Sequence, residues 1–193
     1  MPATASPETN PPPAATMGTA AGRFHVVSAI ERMIQIVVRD QTEDTPGQCL
    51  YFAHAVATVL HLLGLRPVIQ AGSMQWPRMR REEDDGVSNT HFAYMWNPYR
   101  PESIMARAIG ALPEIHVWVG LVETQELIDF STRHFRRHAE ACGVKWTAED
   151  PPAFLWAPAA SLPDWVIYSP NRDATLYAAS VLDKLFHPKY LEK

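Results

Sequence analysis

Apolar residues recur at helical spacing from Arg23 to Asp40, where Phe24, Val27, Ile30, Met33, Ile34, Val37 and Val38 alternate with His25, Ser28, Glu31, Arg32 and Gln35. This spacing predicts an amphipathic helix. A turn from Gln41 to Gly47 follows, and then a second, more apolar helix from Gln48 to Leu63, built on Leu50, Phe52, Ala53, Val56, Ala57, Val59, Leu60 and Leu63 and stopped by Gly64. The first helix is expected to pack on the second. Beyond Gly64 the pattern shortens to two-residue alternation and short apolar runs. Strands are predicted at 67–76, 90–96, 114–122 and 126–130. Charged residues 78–89 read as a solvated hairpin loop, and the proline-punctuated segment Asn97 to Pro113 as a short helix or a flap. Ser131 is placed to cap a helix running to about Cys142, with Arg133, His134, Arg136, Arg137 and His138 on a solvated face. Two more strands (154–157 and 165–169) and a last helix (172–186) complete the chain. Helices first and a mostly antiparallel sheet afterwards make the class α+β with one core.

Composition narrows the function. The first 22 residues are Pro, Ala, Thr and Ser with almost no large apolar side chains. Such a stretch cannot bury enough surface to offset ordering, so it reads as a disordered tail ahead of one domain from 23 to 193. A net charge of −4 with no basic run argues against nucleic-acid binding. No apolar run reaches bilayer-spanning length, and the N-terminus lacks a basic region followed by an apolar one, so no membrane contact and a cytoplasmic location are expected. Cys49 and Cys142 lie in dissimilar contexts without a CxxC neighbour, which argues against both a disulfide framework and a metal site. His54 and His61 share one helix face but have no evident third ligand.

The candidate chemistry centres on Gly47-Gln48-Cys49-Leu50-Tyr51-Phe52-Ala53, which sets a cysteine where a Pro/Gly turn gives way to an apolar helix. The unpaired first-turn N–H groups and the helix macrodipole favour a thiolate there. A histidine follows in Ile115-His116-Val117-Trp118-Val119 and an aspartate in Leu127-Ile128-Asp129-Phe130. Cys49 as nucleophile, His116 as general base and then acid, and Asp129 as the carboxylate that orients the imidazole make a complete triad. Neighbouring antiparallel strands can bring His116 and Asp129 side by side, on the face that carries the start of the cysteine helix. His91, in Thr90-His91-Phe92-Ala93-Tyr94, competes with His116 for the base. The Cys49 N–H and one of Gln48, Gln41 or Gln75 are candidates to meet an oxyanion. Trp76, Trp96 and Trp118, with His91, are candidates to line a substrate cleft.

These residues resemble a known family. Gly47-Gln48-Cys49-Leu50-Tyr51-Phe52 is similar to the nucleophile motif of transglutaminases, His116-Val117-Trp118-Val119 to the family's histidine strand, and Leu127 to Thr132 to the strand that ends in its aspartate. The resemblance covers roughly Gln48 to Thr132. It implies a papain-like, transglutaminase-like fold, closest in size to small bacterial-type members, and a Cys-His-Asp triad working through a thioester without metal or organic cofactor. The implied activity is hydrolysis of an amide or peptide bond, or transamidation, on a peptide, protein or small amide substrate. An inactive peptide-binding module of the same fold and an arylamine-type N-acyltransferase are the alternatives. Leu50 stands where the animal enzymes carry a tryptophan, so the resemblance implies the triad more than protein cross-linking.

Overall fold

The computed structural model describes residues 20–39, 48–79, 90–141, 146, 150–164 and 166–186. The tail before residue 20, Gln41, the capping stretch 44–46, most of the charged loop and Cys142 fall outside them. Two helices open the described chain, α1 (Ala20–Val37) and α2 (Gln48–Leu62), followed by strands β1 (Pro67–Met79) and β2 (Thr90–Tyr94). A short helix α3 (Pro101–Ala108) leads to β3 (His116–Leu121) and β4 (Glu126–Asp129). A 3-10 turn (Thr132–His134), α4 (Phe135–Ala141), β5 (Leu155–Pro158), β6 (Ile167–Pro170) and α5 (Arg172–Phe186) complete it. The class is α+β, with five α-helices among the described residues and every strand pair antiparallel.

The sheet runs β2-β1-β3-β4-β5, and β6 adds a further pairing with β1. Strand β1 is long enough to serve three partners: Pro67 to Gly72 pair with β3, Gly72 to Gln75 with β6, and Met74 onward with β2. Gly72 is where that crowding is greatest. It pairs with both His116 and Pro170, and a Cβ at this position would lie 2.1 Å from the Ser169 carbonyl oxygen. Only a residue without a side chain lets the backbones approach so closely.

Alternation along β3 divides the apolar side chains between the two faces of the sheet. Ile115, Val117, Val119 and Leu121, with Ile128 and Phe130, join α1, α2 and α5 in one cluster. A second cluster, Met74, Trp76, Phe135, Ala139, Trp146 and Val166, occupies the side of Trp118 and Tyr168. The single expected core is therefore two clusters, because the segment after β4 folds across the sheet instead of staying in solvent.

Helix ends explain how the pieces are held. Helix α1 packs on α2, burying Val26, Ile30 and Ile34 at four-residue spacing. Gly64 closes α2 with a φ of 78°, and the bonds Leu65 N–H to Leu60 O and Gly64 N–H to His61 O form a Schellman cap. Asn171 caps α5 by accepting from the N–H groups of Asp173 and Ala174, while its own N–H donates to Ala71 O in β1. The α5 cap thus fixes β1 beside the site.

Candidate active site

Strand β3 is central, and its first residue is His116. Asp129 ends the neighbouring strand β4, where Val119 pairs with Ile128. That register puts Asp129 across from Trp118 and one diagonal from His116, on the same face. The two side chains meet there, His116 Nε2 to Asp129 Oδ2 at 2.7 Å, and both are buried. They sit opposite the helix-packed face, not on it as expected. The start of α2 reaches them at the end of the sheet, where Gln48 and Cys49 line one cleft with Glu114, Ile115 and Ser131.

The carboxylate is held from several sides. Asp129 Oδ1 accepts from the Ser131 N–H at 2.8 Å and the Ser131 hydroxyl at 2.6 Å, and Oδ2 also accepts from the Tyr168 hydroxyl at 2.7 Å. Burial would raise the Asp129 pKa, but the charge and hydrogen bond of His116, then the bonds from Ser131 and Tyr168, outweigh it and hold the carboxyl below its ordinary value. Burial, and then the Asp129 charge, push the Tyr168 phenol well above its ordinary value, so it remains a donor.

Ser131 therefore does not cap the following helix: its side chain makes no cap bond. The short loop after β4 turns that side chain back onto Asp129, two residues earlier. The predicted helix is correspondingly broken into a 3-10 turn and the shorter α4.

The imidazole is boxed by rings. Tyr94 lies 5.2 Å from it at 22°, Trp118 6.0 Å at 18°, and Phe135 and Tyr168 complete the enclosure at 5.4 and 5.9 Å. Burial alone would lower the His116 pKa. The Asp129 charge and hydrogen bond, followed by the nearby Cys49 thiol, raise it instead to about 10. The near-parallel faces of Tyr94 and Trp118 also suit an imidazolium. With Nε2 committed to Asp129, Nδ1 is the nitrogen left for Cys49. It meets no partner of strict hydrogen-bond geometry, and the half-buried Cys49 thiol is nevertheless close enough to act on the ring.

The cleft in front of Cys49 has a volume of about 250 Å³. Leu112, Pro113 and Ile115 form an apolar side, and Tyr94, His134 and His138 a polar one. The two histidines were expected in a solvated face. They turn inward because α4 packs Phe135 and Ala139 on the sheet, which carries His134 against Phe52 (5.4 Å) and His138 Nδ1 to the Tyr94 hydroxyl (2.9 Å). Arg136, by contrast, is exposed.

The other candidates fall elsewhere. Gln48 is buried and lines the cleft, whereas Gln75 lies mid-strand in β1 away from it, and Gln41 is outside the described residues. His91 lies on β2 at the end of the strand order. None of the three tryptophans lines the cleft. Trp76 packs edge-on against Phe135, Trp96 packs at the margin of the first cluster, and Trp118 donates its indole N–H to Gln70 Oε1 while lining a cavity of about 470 Å³ with Tyr168. His54 stacks on Phe186 at 4.0 Å and burial lowers its pKa, while His61 is exposed. Among the described residues no group of three or more His, Cys, Asp or Glu side chains could hold a metal ion. No helix among them is long and apolar enough to cross a membrane. Tyr94, Ser131, His134, His138 and Tyr168 are the residues that sequence reading misses as parts of the site. Only Ser131, two residues after a strand-ending aspartate, carried a local signal.

No family model and no curated protein sequence match the chain. It is similar to a solved crystal structure of a genomics target, with a TM-score of 0.52 and 17% identity over 87% of this chain and 74% of that one. At that identity the likeness shows a shared fold alone.

Proposed function

We propose that this chain is a cysteine-dependent acyl-transfer enzyme of papain-related, transglutaminase-like type. The observation that carries the reading is the buried His116–Asp129 pair at 2.7 Å, acting on a half-buried Cys49 in the first turn of α2. An imidazole fixed by a carboxylate beside a thiol at a helix N-terminus is what activates a cysteine nucleophile.

In the proposed reaction Cys49 Sγ, having given its proton to His116 Nδ1, attacks the carbonyl carbon of an amide or ester, and the carbonyl electron pair moves onto oxygen. The Cys49 N–H, free of an intrahelical partner at its place in the first turn, meets that oxyanion, with the buried Gln48 as second candidate donor. The tetrahedral adduct collapses by breaking the bond to the leaving group, which takes the proton from His116 Nδ1. Water or an amine then attacks the thioester, gives its proton to His116, and the thiolate departs. Asp129 keeps Nε2 protonated throughout, and its four hydrogen bonds hold the ring orientation. The cleft, at about 250 Å³, is smaller than the ~300–1,000 Å³ typical of sites for drug-sized molecules. It suits a side-chain-sized acyl group better than a bulky acyl carrier, which favours an amidase, peptidase or transamidase over the arylamine-type alternative.

Intact-mass analysis after exposure to p-nitrophenyl acetate tests the reading. A single acetyl adduct is expected on the wild type with Cys142→Ser, none on Cys49→Ala in the same background, and strongly slowed formation on His116→Ala. An adduct that forms equally well in all three would overturn it.

A further inference from the structure

Helix α3 is built inside out. Its one buried residue is Ser103, 3% exposed, while Ile104, Met105, Ala108 and the adjoining Ile109 face solvent, with Met105 69% and Ile109 80% exposed. Residues i, i+1, i+4 and i+5 of a helix form one continuous stripe. Tyr99, 86% exposed, and Met95 extend the apolar character along the chain before the helix. Folding alone gives no reason to turn a polar side chain inward and the apolar ones outward. The helix makes only sparse contact with other elements. Its loop is instead held at the base: Glu114 accepts from the Met95 N–H and pairs with Arg100, and the Tyr177 hydroxyl donates to Ala111 O.

That base leads directly into the cleft, because Leu112, Pro113 and Glu114 line it beside Cys49. We infer that α3 is a docking surface for an apolar segment of a polypeptide substrate, whose acyl group enters the cleft. The inference rests on the proposed acyl-transfer reading for what enters, but the surface itself does not. Two magnitudes select this occupant. A cleft of about 250 Å³ encloses little more than one side chain, so the rest of a larger substrate must lie outside it. A stripe of four or five side chains is also well short of the ~800 Å² per partner that a stable dimer buries, and fits a transient contact instead. Only Gly110 and Ala111 separate Ile109, the last residue of the stripe, from Leu112 on the apolar side of the cleft, so one extended or helical segment of a substrate is long enough to reach from one to the other.

Fluorescence anisotropy with two labelled peptides of equal charge and about 15 residues tests the surface without requiring turnover. One peptide carries Leu, Ile and Phe at i, i+3 and i+4 spacing, and the other has Ser in their place. The full chain should bind the apolar peptide at least about tenfold more tightly, a difference near 1.4 kcal/mol. The triple variant Ile104→Ser, Met105→Ser, Ile109→Ser should lose that preference, while Leu62→Ser with Leu176→Ser, exposed apolar residues elsewhere, should keep it. Acetylation of Cys49 by p-nitrophenyl acetate should be the same in the triple variant as in the wild type. A preference absent from the wild type, a preference surviving in the triple variant, or sedimentation showing α3-dependent self-association each overturns the inference. If Cys49 acylates with nothing while the apolar peptide still binds through α3, the surface stands and the catalytic reading fails.

Discussion

Gly72→Ala tests the packing that supports the catalytic pair from outside it. The added Cβ would lie 2.1 Å from Ser169 O and 2.9 Å from Asn171 N, and Cβ atoms essentially never come within 3.0 Å of such neighbours. Both are backbone atoms, so the collision cannot be relieved by a rotamer change, and β6 must move by close to 1 Å. Tyr168 lies on β6 and donates to Asp129 at 2.7 Å. A comparable movement stretches that bond to about 3.6 Å, which no longer counts as one. Overpacking costs about 1–3 kcal/mol and the lost bond to a buried carboxylate about 1.5–3, offset by about 0.4–1 from the stiffer unfolded chain. The net expectation is a loss of about 2–5 kcal/mol. At about 2–4 °C per kcal/mol for a chain of this size, the midpoint should fall by roughly 5–20 °C. Urea denaturation of Gly72→Ala, Tyr168→Phe and the double variant reads the coupling. Because the clash already breaks the bond, the double variant should be less destabilised than the sum of the singles, by about 1 kcal/mol or more. A Gly72→Ala protein within about 0.5 kcal/mol of wild type, or strict additivity, would refute the reasoning.

Ser131→Ala removes one of the two Ser131 bonds to Asp129 and leaves the N–H bond in place. A loss of about 1.5–3 kcal/mol by denaturant titration is expected, against less than about 0.5 if the hydroxyl faced solvent without a partner. The pH dependence of stability has a definite sign. In the native chain the His116 pKa is raised from 6.5 to about 10, so folding holds a proton that the unfolded chain releases above pH 6.5. The stabilisation is complete below 6.5 and lost as pH rises towards 10. Measured in Cys49→Ala, which takes the thiol out of the proton count and its share out of the His116 shift, stability should fall with pH from 6.5 upward at up to about 1.4 kcal/mol per pH unit and level off below pH 10. Asp129→Asn, which keeps an acceptor for Ser131, should flatten that fall. His54 works oppositely: burial lowers its pKa, so its contribution is lost as pH drops below 6.5.

The elements were legible wherever one period dominated. α2, β3, β4 and α5 begin or end within two residues of their predicted bounds, because buried side chains alone set the pattern there. Out-of-phase alternation also foretold that His116 and Asp129 would share a face apart from Val117, Val119 and Ile128. Which face that was could not be read, since alternation says nothing of which layer covers each side. Residues 131–141 misled for a related reason. A run of Arg and His reads as solvated, yet Phe135 and Ala139 drag His134 and His138 inward with them. Tyr168 was beyond reach, because its partner lies 39 residues away and only the β1–β6 register brings the two together. The tryptophans were candidates for a cleft from their chemistry, while packing on the second face claimed Trp76 and Trp118.

The most direct measurement is the rate of iodoacetamide alkylation at Cys49 as a function of pH, with Cys142→Ser throughout, in the wild type, His116→Ala and Asp129→Asn. The account predicts a wild-type rate that stays high well below pH 7 and falls by at least about tenfold in His116→Ala, with Asp129→Asn between them. A rate that climbs about tenfold per pH unit up to the ordinary thiol range near 8.5, and that is indifferent to His116, would contradict it.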